Sequence, residues 1–246
     1  MLKNDKYPRA RIVAISTLVL LPGMDGTGDL FTEFLSYYDG DSLVISLPES
    51  GPQDHATLAN VINNQLPTED YIILAESFAG GIVPELLKLE PTHMKGVVFV
   101  ASFLSSPRSY LIGVAKLLPI KILASLPLSN IAHRLLFLGQ EATKPLLSKF
   151  VNVIKSIPKQ VLSSRLEVMK RQQLPQITFD IPAIYVQALS DRLIPSQKSR
   201  EFSKVFTNIK YIEIEGPHFI LQAQPKEAAQ LVTVAVSSII NNRRHS

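Results

Sequence analysis

Six short apolar runs punctuate the chain, at Leu18–Leu21, Leu43–Leu47, Tyr71–Ala75, Val97–Ala101, Ala183–Ala188 and Tyr211–Ile214. Apolarity within them is mostly continuous rather than alternating, the pattern of strands covered on both faces in a parallel sheet. Intervening stretches such as Leu30–Tyr38 and Thr57–Leu66 carry apolar residues at helical spacing and supply the covers. The pattern predicts an α/β fold built on a doubly wound, mostly parallel sheet. Between the runs ending at Ala101 and beginning at Ala183 lie about eighty residues, against the ~2–6 of an ordinary βα connection. That segment is rich in Leu, Ile and Lys and is broken by Pro107, Pro119, Pro127, Pro145 and Pro158, with Ser156 and Pro158 resembling a helix start. The expected organisation is a core of residues 1–104 and 176–246 with a helical cap inserted at 105–175.

Composition agrees with one folded unit: 246 residues, 46% hydrophobic and 19% charged, enough to bury a large core and unlike disordered or fibrous chains. Cysteine is absent, which excludes disulfides, thiolate metal sites and a cysteine nucleophile. Lys3, Lys6, Arg9 and Arg11 precede an apolar stretch, but Ser16 and Thr17 interrupt it and it runs into Pro22-Gly23 rather than a small-residue cleavage site. A soluble, cytoplasmic protein is expected. The formal charge of +4 is uneven, since 11 of the 25 Lys and Arg fall in Ser105–Pro175 with only Glu141 and Glu167 opposing them. Phe and Tyr are not interleaved with these cations as base stacking requires, so the basic pI does not indicate nucleic-acid binding.

Candidate chemistry sits at the ends of the predicted strands. After Tyr71–Ala75 come Glu76-Ser77-Phe78 and then Ala79-Gly80-Gly81 at a helix start. A serine in such a strand–turn–helix elbow occupies a strained conformation and needs small residues two positions to either side. Ala75 and Ala79 meet that need, where the usual Gly-x-Ser-x-Gly pattern has glycines; the plainer role for Ser77 is a helix N-cap. Leu18–Leu21 leads into Pro22-Gly23-Met24-Asp25-Gly26-Thr27-Gly28, a loop able to turn N–H groups toward a developing oxyanion, with Met24 as one donor and Phe78 as the other. It lacks the Lys-Ser/Thr pair that ends a phosphate-binding loop. Asp191 follows strand Ala183–Ala188, and His218 follows Tyr211–Ile214. A serine is a weak nucleophile until a base, oriented by an acid, activates it, and the order Ser, Asp, His at strand carboxyl ends supplies both. His55, His93, His133 and His245 have no such setting. Pro84 lies in the helix beginning at Ser77 and is expected to kink it after about two turns.

The chain resembles the α/β-hydrolase superfamily over essentially its whole length. LLPGMDGTGDLF is similar to a branch whose oxyanion loop starts Pro-Gly, and LAESFAGG, ALSDRLIP and EGPHFILQAQP look like the elbow, acid and histidine segments. The resemblance implies a serine hydrolase, a carboxylesterase or thioesterase, with Ser77, Asp191 and His218 as triad and Met24 and Phe78 as oxyanion hole. Gly23, Glu76 and Leu193 are then expected beside the substrate. No metal or organic cofactor is needed. The basic cap, with Arg165, Lys170 and Arg171, suggests recruitment of an anionic acyl carrier, an acidic carrier protein or CoA, in the manner of a carrier-protein methyl ester esterase. Peripheral membrane contact is a variant that is not expected. Two alternatives share the fold: an acyltransferase using the same triad, and a noncatalytic small-molecule receptor.

Overall fold

The computed structural model describes residues 16–107 and 134–243. The cap residues Arg108, Lys116, Lys121 and His133, the basic residues ahead of Ser16, and His245 lie outside them.

Six strands form one sheet: β1 (Thr17–Leu21), β2 (Ser42–Val44), β3 (Tyr71–Glu76), β4 (Met94–Val100), β5 (Ala183–Ala188) and β6 (Ile209–Ile214). Their order is β2-β1-β3-β4-β5-β6 and every pairing is parallel. Alternate residues face opposite sides of a strand, and both sides here are covered. Val19, Leu21, Ile73, Ala75, Val97 and Phe99 pack against α2 (His55–Asn63), α3 (Ile82–Leu87) and the Phe202–Phe206 segment. Leu18, Leu20, Ile72, Leu74, Val98 and Val100 pack against Phe31, Phe34 and the apolar face of the C-terminal helix. Burial on two faces is why β1, β3, β4 and β5 read as apolar runs, while the edge strands β2 and β6 are largely exposed.

The differences from expectation have local causes. Only Ser42–Val44 of the second run is a strand; Ile45 and Leu47 are buried beyond the ladder's end, with Leu47 N–H bonded to the Gly26 carbonyl at 2.7 Å. The Leu30–Tyr38 stretch is a 3₁₀ turn, Asp29–Phe31, followed by the one-turn helix α1 (Thr32–Leu35). Pro84 does not kink a long helix. The chain leaves Ser77 as a 3₁₀ segment to Gly81, and α-helical bonding begins only at Ile82, so the missing proline N–H falls in the first turn, where no partner is needed.

Between β4 and β5 the described residues include a π-helical turn, Arg134–Leu138, and two α-helices. The first, α4 (Lys144–Ser156), starts at Thr143, whose hydroxyl accepts from the Leu146 N–H at 3.3 Å, with Pro145 in the first turn. The second, α5 (Lys159–Arg171), has Pro158 at its N-cap, so Ser156 closes one helix rather than opening the next. After β6 come α6 (Ile220–Ala223) and α7 (Pro225–Arg243). Among the described residues no helix is long and apolar enough to cross a membrane.

Candidate active site

In the strand order β1 has β2 on one side and β3 on the other, so the chain reverses direction across the sheet at the β1/β3 boundary. Such a reversal opens a crevice at the strands' carboxyl ends, where ligands bind in open α/β sheets. The glycine-rich loop leaves β1 and Ser77 leaves β3, so the two flank that crevice.

Ser77 has φ of 50°, a left-handed conformation that a non-glycine residue holds at a cost of order 1–3 kcal/mol. The elbow is enforced by packing. Ala75 and Ala79 are fully buried, and a Cβ on Gly80 would lie 2.7 Å from the Ser102 Cβ, so only glycine lets the turn approach the end of β4 this closely.

Asp191 follows β5 by three residues. Its Oδ1 accepts the N–H groups of Leu193 and Ile194 at 2.8 and 2.9 Å, and its Oδ2 accepts from His218 Nδ1 at 2.7 Å. The carboxylate therefore caps its own turn and orients the imidazole at once. His218 Nε2 lies 2.9 Å from Ser77 Oγ, completing a chain from acid to hydroxyl through a histidine that is 3% exposed. The arrangement can take a proton from the hydroxyl, hold it as imidazolium beside Asp191, and return it to a leaving group.

Burial is the largest influence on His218 and disfavours its charged form, but the Asp191 carboxylate, with help from Glu76, outweighs it, so the pKa is raised above 6.5. A base must be neutral to accept the serine proton. The acid limb of kcat/KM is therefore expected above pH 6.5, and to move to lower pH in Asp191→Asn; a pH–rate profile with its limb below 6.5 in the unaltered protein would contradict this electrostatic balance.

Gly23 lies against the nucleophile: a Cβ there would sit 3.4 Å from the Ser77 Cβ. Met24 is half-buried and packs against both the core and α5. Phe78, next after Ser77, is fully buried, with its ring centroid 4.9 Å from that of His55. Leu193 is half-buried, and its described role is to lend its N–H to Asp191.

Glu76, expected beside the substrate, is 1% exposed and accepts from the Gln222 amide at 3.4 Å. Burial first, and Asp25 second, push its pKa up to about 8 against the pull of Gln222 and His218. One expectation needs correction. Arg165, expected on the solvent face of the cap, is also 1% exposed. Its Nε donates to Gln53 Oε1, its Nη1 to the Met24 and Asp25 carbonyls and its Nη2 to the Pro48 carbonyl, all at 2.9 Å. It is therefore not a carrier contact. A signal was available: Val161, Leu162, Leu166 and Met169 form an apolar helical stripe, and Arg165 falls inside it. Lys170 and Arg171 are exposed as expected, Arg171 paired with Glu167 at 2.5 Å.

The cap also reaches the histidine loop. The Phe219 N–H donates to the Phe137 carbonyl at 3.0 Å, and Phe137, Phe150 and Phe219 form a ring cluster with centroids 5.3–6.1 Å apart. Sequence reading found neither contact, because both depend on a long-range approach between cap and core. No group of three or more metal-ligating side chains occurs among the described residues.

Structural relatives share this architecture at low identity. They include an esterase (EaEST) from Exiguobacterium antarcticum, with a TM-score of 0.75 and 13% identity over 92% of each chain. MenH from S. aureus gives a TM-score of 0.70 and 13% identity over 95% of this chain and 98% of the other. RedJ, a thioesterase from the prodiginine biosynthetic pathway in Streptomyces coelicolor, gives 0.68 and 16% over 92% and 86%. No curated protein sequence matches significantly. Residues 44–215 match the family Hydrolase_4, described as serine aminopeptidase S33, a span that holds Ser77, the described cap helices and Asp191 and stops three residues before His218. The chain therefore belongs to the Hydrolase_4 family of the α/β-hydrolase superfamily.

Proposed function

We propose that this protein is a serine hydrolase that cleaves a carboxylic ester or thioester through an acyl-enzyme. The observation that carries the reading is the continuous Asp191–His218–Ser77 hydrogen-bonded chain ending on a strained, nearly buried hydroxyl. In the first half-reaction Ser77 Oγ bonds to the substrate carbonyl carbon while its proton passes to His218 Nε2. The Met24 and Phe78 N–H groups are assigned to the oxyanion, a contribution of about 10²–10³ in rate per donor. Collapse breaks the bond to the alcohol or thiol, which leaves with the proton from His218. Water then attacks the acyl-enzyme by the same relay and frees the acid. The esterase and the thioesterase among the structural relatives support this reaction class.

The carrier-bound substrate belongs to the same proposal, now resting on Lys170 and its exposed neighbours without Arg165. Steering between exposed charges is screened over ~8 Å at physiological ionic strength, whereas a short neutral ester feels no such field. With p-nitrophenyl butyrate, an acyl-CoA and an acyl-carrier protein as substrates, kcat/KM for a carrier-bound acyl group is expected to fall with salt and in Lys170→Glu, with the p-nitrophenyl ester little changed. Equal salt dependence for all three would reject recruitment and leave a general esterase. Turnover of an aminoacyl p-nitroanilide alone, with no ester or thioester cleaved, would reject the proposed bond type in favour of the activity in the family's description.

A further inference from the structure

We propose that Arg165 is a positioning residue for the reaction: from the cap helix α5 its guanidinium holds the loop after β1 in the geometry that presents the Met24 N–H to the oxyanion. The inference rests on the serine-hydrolase reading above and adds to it a part of the machinery that comes from the cap.

The contacts are unusual for a lysine- and arginine-rich helix. Three guanidinium nitrogens make four hydrogen bonds of 2.9 Å, three of them to backbone carbonyls, and none reaches a carboxylate. A planar fork suits this task because its donors are fixed relative to one another, so the acceptors are fixed too. Nη1 grips the consecutive carbonyls of Met24 and Asp25, which sets the peptide planes on the carboxyl side of Met24. On the amino side, the Gly23 carbonyl accepts the Gly26 N–H at 3.2 Å. Peptide planarity then turns the Met24 N–H away from that turn. Gly26 closes the clamp. It has φ of 74°, and a Cβ there would lie 2.2 Å from Arg165 Nη1, so the guanidinium occupies the space of the missing side chain. The outer end is tied down by Gln53, whose Oε1 takes Nε and whose Nε2 bonds the Pro48, Ser50 and Gly51 carbonyls. Burial lowers the pKa of Arg165 to about 10 while Asp25 and Glu49 favour the charge, which leaves the donors fully protonated at neutral pH.

A group that only fastens the cap to the core would affect stability and ligand binding alike. A group that sets an oxyanion donor acts where negative charge develops, so its loss lowers kcat and the affinity of tetrahedral analogues without weakening substrate binding. The test compares the full-length protein with Arg165→Met, Arg165→Lys and Gly26→Ala. Measured are p-nitrophenyl butyrate kinetics, inhibition by an alkylboronic acid that adds to Ser77, inhibition by an unreactive ketone-free analogue of the same ester, and thermal midpoints. In Arg165→Met, kcat and boronate affinity are expected to fall together by about 10²-fold, with KM and the unreactive inhibitor within about threefold. Arg165→Lys, which keeps the charge but not the fork, is expected to recover only part of the loss. Gly26→Ala, which retains Arg165 but displaces its guanidinium, should show the same kcat–KM split, so the idea stays testable if Arg165→Met fails to fold. Folded variants with unaltered kcat and boronate affinity, or with reactive and unreactive ligands weakened equally, would overturn it. An unaltered protein that neither turns over ester nor binds boronate at Ser77 would instead reject the underlying hydrolase reading.

Discussion

Ser77→Ala is expected to lower ester turnover by about 10⁶-fold in kcat, while leaving the thermal midpoint near that of the unaltered protein. The hydroxyl supplies the atom that bonds to the acyl carbon, and no other nucleophile in the described site touches His218. Its removal deletes one hydrogen bond, at 2.9 Å to His218, and leaves the left-handed turn to be held as before by Ala75, Ala79 and Gly80. Stopped assays with p-nitrophenyl butyrate and calorimetry measure the two quantities, and a fluorophosphonate should label the unaltered chain at Ser77 alone. Turnover within tenfold of the original, or labelling at a different serine, would remove Ser77 from the mechanism.

The second large effect is at Asp191. Asp191→Asn is expected to cost about 10⁴ in kcat, in line with amide replacement of a triad aspartate, and the geometry says why the rate falls without the fold. The Leu193 and Ile194 N–H groups both need an acceptor from residue 191, so the asparagine oxygen turns to them and its NH₂ turns to His218 Nδ1. That stabilises the tautomer with its proton on Nε2, facing the serine, where it cannot accept the hydroxyl proton. His218→Ala should be at least as damaging. Glu76, also at a strand end and coupled electrostatically to His218, is the one described acid that could stand in. A rate for Asp191→Asn near the original would mean that it does.

The sheet and the meeting of Asp191, His218 and Ser77 are legible because each is signalled locally. A strand buried on two faces must be apolar throughout, and side chains that gather at the crevice follow the strands' carboxyl ends, so order and spacing locate both. What escaped notice depends on approach between distant segments. Arg165 reads as a solvated cation until α5 is known to lie over the loop after β1, although its place in the Val161–Met169 stripe marks the inward face. The Phe137–Phe150–Phe219 cluster unites residues that share no sequence period. Pro84 was misread because a 3₁₀ start, which absorbs its missing N–H, leaves no trace in apolar periodicity.

The position of the cap in the chain has an evolutionary consequence. The strands on either side of it, β4 and β5, are direct neighbours with Val97 opposite Ala183, so the whole insertion enters and leaves the sheet at a single seam. Loop-closure entropy rises by only about 0.6 kcal/mol for each doubling of length, so the length of the insertion by itself costs the core little. Relatives could therefore differ in insertion length at little entropic cost, provided that the exchanged segment covers Met24, Leu30 and Phe219 as this one does. Fitness is another matter: a graft without an inward arginine at the position of Arg165 would inherit the triad intact and leave the Met24 and Asp25 carbonyls unheld. Selection on such a scaffold would act on the match between lid and loop, and compensating changes would be found at Gly26 and Gln53 rather than in the sheet.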